Sequence, residues 1–202
     1  VRLLQGRAAF EDSQTLTVTG AQGPQRVRVT HTVVAVGSTP ALPALFRLGS
    51  DRVLTSTEAL ELPEIPRQLL IVGGGYIGME LGTVYATLGS RVILVEALET
   101  ILAGVDTDLM RPVLRSAQAL FGELRTGTRV TALRLEGSKV RVTCEQAAGA
   151  REELYDRVLV CVGRVPHCEE LGLEHTNVRL SAQGFIDVDS ARRTADPAIW
   201  AI

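Results

Sequence analysis

Four stretches of the chain are apolar at almost every position: TVVAVG (32–37), QLLIV (68–72), RVILVE (91–96) and the centre of ELYDRVLVCVGRVP (153–166). Runs of that length and β-branched content predict strands buried on both faces. TLTVT (15–19) and RVRVT (26–30) instead alternate apolar and polar residues around GAQGP (20–24), which predicts a hairpin. A connection punctuated by Pro40, Pro43, Pro63 and Pro66 follows, in which STEAL (56–60) is at most a short helix with a Ser or Thr cap. From Gly73 to Ser90 the apolar residues Ile77, Leu81, Val84 and Leu88 recur at helical spacing. A second helix is predicted from about Asp106 to Phe121, capped by Asp106, Thr107 or Asp108, with Pro112 near its first turn or kinking it. Val130–Gly137 and Lys139–Glu145 read as another hairpin turning at Gly137–Ser138, and GFIDVDS and AIWAI close the chain.

Strand, glycine turn, helix, strand, helix and a later buried strand describe an α/β unit with a parallel sheet, accompanied by a β-meander. Residues 67–185 carry that order, and residues 1–66 and 186–202 have a different rhythm. The length of 202 residues allows one large domain or two small ones. With 21 Lys and Arg against 23 Asp and Glu, the net charge of −2 excludes the basic excess of a nucleic-acid or membrane-surface binder. No apolar run reaches the length of a membrane span. Three separated cysteines, Cys144, Cys161 and Cys168, fit a reducing compartment, so the cytoplasm is the expected location. His31, His167 and His175 are far apart, and no metal site is expected.

The candidate chemistry begins directly after QLLIV. Gly73, Gly75 and Gly78 form G-x-G-x-x-G between a strand and a helix, and Glu96 ends the next strand 21 residues after Gly75. In such a loop the first glycine permits the tight turn, the second lets backbone approach a pyrophosphate, and the third lets helix and strand pack closely. The helix start offers N–H groups and partial positive charge to phosphates. Glu96 stands where a carboxylate accepts the ribose hydroxyls of a dinucleotide. Residues 97–102 contain no base and one further acid, Glu99, which favours NAD over NADP. On sequence physics alone Glu80 is an exposed helix carboxylate and Tyr76 a partly buried aromatic.

The whole of IVGGGYIGMELGTVYATLGSRVILVE (71–96) resembles the NAD domain of the pyridine nucleotide–disulfide oxidoreductases, most of all their dihydrolipoamide dehydrogenase branch. TVVAVGSTPALP (32–43), LVCVGRVPHCEELGL (159–173) and GFIDVDSARRTADPAIWAI (184–202) resemble further segments of that family. The resemblance implies a Rossmann-like NAD-binding domain at 67–185, flanked by incomplete segments (1–66 and 186–202) of a discontinuous FAD-binding domain. It implies that Gly73, Gly74, Gly75, Tyr76, Ile77 and Gly78 line the NAD pyrophosphate and nicotinamide approach. Glu96 would take the adenosine ribose, Val130 the adenine pocket and Gly163 the nicotinamide end. Glu80 would approach the flavin and pair with a lysine that has no counterpart here, and Ala8, Val36, Gly37 and Ser38 would touch FAD. Val36 replaces the usual Thr of that segment and His167 the common Asn.

A C-x-x-x-x-C redox pair and a first glycine motif for FAD are not in the sequence. The expectation is therefore the middle part of a longer enzyme, able to bind NAD(H) and inactive alone. The resemblance implies, for the whole enzyme, oxidation of dihydrolipoamide by NAD⁺ through a disulfide and FAD. Its implied partners are a lipoyl-bearing acyltransferase of a 2-oxo acid dehydrogenase complex and a second copy in a homodimer. Mercuric or glutathione reductase-like activity, and a non-catalytic NAD-binding module, are the alternatives.

Overall fold

A computed structural model describes residues 1–61 and 64–202; Leu62 and Pro63, the latter one of the prolines of the punctuated connection, lie outside the described residues. The chain divides into two compact units, Val1–Thr39 with Val165–Ile202, and Pro40–Arg164. It crosses between them within two short strands, β5 (Ser38–Pro40) and β14 (Arg164–Pro166).

In the first unit β1 (Arg7–Asp12), β2 (Thr15–Gly20) and β3 (Gly23–Arg28) form an antiparallel meander. The predicted hairpin is β2–β3, turning between Gly20 and Gly23. The apolar run 32–37 supplies a strand only over β4 (Thr32–Val34), parallel to β15 (Ile199–Ala201). It is not buried on both faces: Val34 is, but Val33 is 60% exposed. Among the described residues that sheet has two strands, and no element packs over the face that carries Val33. Phe10, Val34, Leu173, Ile199 and Ala201 make a small core, and Phe10 N–H donates to the Leu171 carbonyl.

The second unit contains β6 (Val53–Leu54), α1 (Ser56–Leu60), β7 (Gln68–Val72), α2 (Tyr76–Thr87), β8 (Arg91–Val95), α3 (Thr107–Leu120) and β9 (Glu123–Arg125). β10 (Arg129–Glu136), β11 (Lys139–Gln146), β12 (Gly149–Tyr155) and β13 (Arg157–Val160) complete it. Five strands form a parallel sheet in the order β6-β13-β7-β8-β9, and β10, β11 and β12 form an antiparallel meander. This is the α/β class with parallel sheet and meander that the pattern predicts. One sheet face packs on the meander through Leu70, Ile93, Val95, Val140, Val142 and Val158. The other packs on the helices through Leu69, Ile71, Leu94, Met79, Tyr85 and Phe121.

Several local readings are corrected. The boundaries read at 66/67 and 185/186 do not coincide with the unit crossings. Val53 and Leu54 pair with Val158 and Leu159, which draws the preceding connection into the second unit, and Leu171 bonds to Phe10, which holds the following segment in the first. The run 153–166 is three strands, the end of β12, β13 and β14, separated at Asp156 and after Val160. On α2 the buried positions are Gly78, Met79, Gly82 and Tyr85, whereas Val84 and Leu88 are exposed. Glycine contributes to this: a Cβ on Gly82 would come within 2.7 Å of Phe121 Cζ at the end of α3 and 3.1 Å of Ile71 Cδ1 in β7, so the bare glycine lets α2 close on both. Pro112 is the sixth residue of α3, inside the helix, and Asp106 caps it without a side-chain hydrogen bond. Helix α1 has the capping box that its Ser and Thr residues announce, with Thr55 and Glu58 bonding reciprocally.

Candidate functional site

Strand β7 has β8 on one side and β13 on the other, so the chain's progression across the sheet reverses at its carboxyl end. In parallel sheets that reversal opens a crevice beyond the strand ends, where ligands bind. The glycine loop occupies this position. Gly73 follows β7 with φ +107°, a conformation that side chains rarely adopt. A Cβ there would collide with the Cys161 carbonyl at the end of β13. A Cβ on Gly78 would collide with the Gly73 carbonyl, so these two glycines are required by the fold itself.

Gly75 is different. Its backbone is extended (φ −73°, ψ −178°), open to any residue, and a Cβ built there meets no protein atom within 4 Å. It is the N-cap of α2, which has no side-chain cap and no acid in its first turn. The helix thus presents its unpaired N–H groups and partial positive charge to open space. A backbone bare for no internal reason, at an uncapped helix start, fits close approach by a pyrophosphate.

Glu96 completes the loop from the end of β8. Its carboxylate accepts Gly74 N–H at 2.6 Å and Leu98 N–H at 2.8 Å, and its own N–H donates to the Arg125 carbonyl at 2.8 Å. The sequence brings Gly73–Gly78 and Glu96 together as read. It did not mark the residues that fix them. Ile101, buried, lies against Gly74, and Leu102, with φ +50°, donates its N–H to the Gly74 carbonyl at 2.8 Å. The only signal was the adjacent pair of large apolar residues, Ile101 and Leu102, in a loop of mixed character.

Arg125 was also missed. It is 7% exposed and paired with Glu123 and Glu153, and Tyr155 Oη donates to Glu153 at 2.9 Å. Hydrogen bonds from Arg125 hold both glutamates below the usual carboxylate range, and burial with the adjacent Glu153 pushes the Tyr155 phenol up. The buried arginine beside the Glu96 peptide is therefore already neutralised. Glu99 lies close to Gly127, adding a second acid on this side.

The other candidates sit as follows. Tyr76 is 63% exposed at the first helical position, and Glu80, also exposed, is one turn further along the same face. Val130 is the second residue of β10, with its side chain buried in the sheet–meander core, so the structure gives it a packing role. Gly163, with φ +139°, is exposed beyond β13. In the first unit Val36, Gly37 and Ser38 line one cavity of about 350 Å³, together with Cys168 and Ile186; Ala8 stands in β1 opposite Val18, outside that lining. Burial pushes the Cys161 thiol up to about 12 and raises those of Cys144 and Cys168, so all three stay protonated near neutrality. No described helix is long and apolar enough to cross a membrane.

The chain is 35% identical to dihydrolipoyl dehydrogenase of Haloferax volcanii and 36% identical to those of Haemophilus influenzae and Staphylococcus aureus, over its whole length. It spans 42–43% of the length of these curated relatives. Among solved structures it superposes on LpdA of Mycobacterium tuberculosis with a TM-score of 0.85, and on the HOCl-induced flavoprotein disulfide reductase RclA of Escherichia coli, in its Cu(II) complex, with 0.82. Both are 26% identical, and the match covers 98% of this chain and 44% of each of theirs. Residues 1–202 match the family described as pyridine nucleotide-disulphide oxidoreductase, and the chain belongs to that family.

Proposed function

We propose that this chain is the central part of a flavin-dependent dihydrolipoamide dehydrogenase, with NAD(H) held by the unit Pro40–Arg164. The flavin is assigned to the unit formed by Val1–Thr39 and Val165–Ile202, where Val36, Gly37 and Ser38 line the apolar cavity. The single observation that carries the nucleotide assignment is Gly75, which neither backbone conformation nor packing requires to be glycine. The curated relatives named dihydrolipoyl dehydrogenase support the reaction, dihydrolipoamide + NAD⁺ → lipoamide + NADH + H⁺.

In this reading the start of α2 binds the pyrophosphate, and Glu96 exchanges a loop N–H partner for the ribose hydroxyls. Glu96 and Glu99, with Arg125 already paired, disfavour a 2′-phosphate and select NAD. Tyr76 and Glu80 share an exposed helix face suited to the nicotinamide end, and Gly163 lets backbone approach it. FAD, when bound, supplies the hydride chemistry, and the fold positions the nucleotide that receives it. The redox disulfide is assigned to other parts of the enzyme, since Cys144, Cys161 and Cys168 form no C-x-x-x-x-C pair. The lipoyl-bearing acyltransferase and the homodimer are assigned to the whole enzyme, and the 202-residue chain alone is inactive.

Calorimetric titration of the purified chain with NADH, and with NADPH in parallel, tests this reading. NADH binds and NADPH binds much more weakly; Glu96→Gln lowers NADH affinity by about tenfold and narrows the difference. Equal binding of both nucleotides, or of neither, contradicts the assignment. Turnover of dihydrolipoamide by this chain alone contradicts the assignment of the redox disulfide to other parts.

A further inference from the structure

The glycine loop uses the carboxyl end of the parallel sheet, and the opposite end has its own chemistry. Arg52 immediately precedes β6, Arg157 opens β13 and Arg67 immediately precedes β7, three strands that are neighbours in the sheet. In-register pairing of Val53 with Val158 and of Leu69 with Arg157 brings these three arginines to one edge. Lys139, at the start of β11, joins them around a cavity of about 370 Å³. Four cations thus line the cavity against two carboxylates, Asp156 and Glu64, in a chain whose net charge is −2. Asp156 is already engaged by Gln68 N–H at 2.8 Å and by Lys139 Nζ at 3.1 Å.

Two of these guanidiniums, at the neighbouring strands β6 and β13, are weakly held by the protein, Arg157 Nη1 reaching only the Asp156 carbonyl at 3.4 Å. Arg157 has a side chain only 12% exposed, yet its buried Nε has no hydrogen-bond partner. Arg157 and Arg52 converge on one carboxylate, that of Asp51, at 3.6 and 3.7 Å, beyond hydrogen-bond distance. Asp51 is 76% exposed, so it is a loosely held anion between like charges that need a counter-ion.

We propose that this edge is a second anion site, taking a small, multiply charged anion of the phosphate class. Two guanidinium forks match phosphate oxygens geometrically, and Lys139 adds a point charge. Four cations face Asp156, Glu64 and the loosely held Asp51, and a ligand that displaces Asp51 meets an excess of two, which a dianion neutralises. The volume accommodates a diphosphate or a small phosphorylated molecule. Asp51 occupies part of the position and competes with the ligand. Strands of five residues separate this edge from the glycine loop by about 16 Å, so the two sites fill independently.

Titration of the chain with inorganic phosphate and with diphosphate, at low ionic strength and with NADH at saturating concentration, tests the site. Saturable one-to-one binding of diphosphate, tighter than that of phosphate, is the expected result. Arg52→Gln weakens it by about tenfold, as for loss of one charge-assisted hydrogen bond. Asp51→Asn tightens it by about threefold through removal of the competing charge. That gain cannot come from misfolding. Absence of saturable binding, displacement of diphosphate by NADH, or affinity indifferent to both substitutions overturns the proposal. Should NADH fail to bind at the glycine loop, the response to Arg52→Gln and Asp51→Asn still separates this edge from that loop, since neither residue lies in it.

Discussion

The two units solve the burial problem with unequal means. In Pro40–Arg164 the central strands are covered on both faces, and Leu69, Leu70, Ile71, Val92 and Leu94 are fully buried. In the other unit a three-stranded meander and a two-stranded sheet share a core of five buried residues, while Val33, Val36, Leu180 and Phe185 remain exposed. A parallel sheet with helices on one face and a meander on the other is self-sufficient. Strands without that cover expose apolar surface that a partner segment or ligand can use. The functional assignments follow the same division. The nucleotide site proposed at the glycine loop would need rigid backbone, which the first arrangement supplies, and the apolar cavity at Val36–Ser38 belongs to the second.

Several substitutions sharpen or break this comparison. Leu70→Ala, in the centre of the parallel sheet, removes a side chain with no exposed surface and costs about 2–5 kcal/mol in denaturant unfolding. A loss no larger than that of a surface substitution would show that the sheet is not the stable centre of the second unit. Arg125→Met leaves Glu123 and Glu153 without their shared cation. It costs about 2–3 kcal/mol, below the range for a wholly buried pair because the Glu123 side chain is 38% exposed.

That network also sets a pH dependence. Because Arg125 holds both glutamates below their ordinary value of 4.5, their contribution is complete above about pH 4.5 and lost as pH falls below it. The difference in stability between the native chain and Arg125→Met therefore shrinks on acidification. Stability curves at pH 7 and pH 3.5 that remain equally far apart would contradict the ion-pair account.

Two glycine substitutions separate architecture from binding. Gly78→Ala drives a methyl group into the Gly73 carbonyl and costs about 1–3 kcal/mol. Gly75→Ala has room for its methyl group and costs less than about 1 kcal/mol, the preference of an N-cap position, while NADH affinity falls about tenfold. If Gly75→Ala binds NADH normally, the bare backbone at that position has no role in nucleotide approach. The smallest effect belongs to the first unit: Val33→Ala changes stability by no more than about 0.5 kcal/mol and reduces binding of a hydrophobic dye.

The glycine motif, Glu96 and the strands that carry them were legible because each leaves a local signature: an apolar run, a glycine spacing, an acid at a strand end. Other features depended on partners far along the chain. The run 32–37 looks as buried as QLLIV, yet only the latter has neighbours on both sides, β8 and β13. Helical spacing named Ile77, Leu81, Val84 and Leu88, and Leu81 does pack on the core. Val84 and Leu88 are exposed because the close approach at Gly82 centres the packed face on Gly78, Met79, Gly82 and Tyr85. Apolarity says that a side chain prefers burial and is silent about what arrives to bury it.

By itself the sequence determined the α/β class, the glycine loop with its acid and the near-neutral charge, since these rest on periodicity, spacing and composition. Tertiary structure alone decided which atoms crowd Gly73 and Gly78, the Cys161 and Gly73 carbonyls, and that Leu102 and Arg125 hold the loop and Glu96. It also decided that Arg52, Arg67 and Arg157, separated by up to 105 positions in the chain, share one edge. The reason is physical: parallel pairing joins strands through long crossovers, so residues remote in sequence meet at a sheet end that no local pattern encodes.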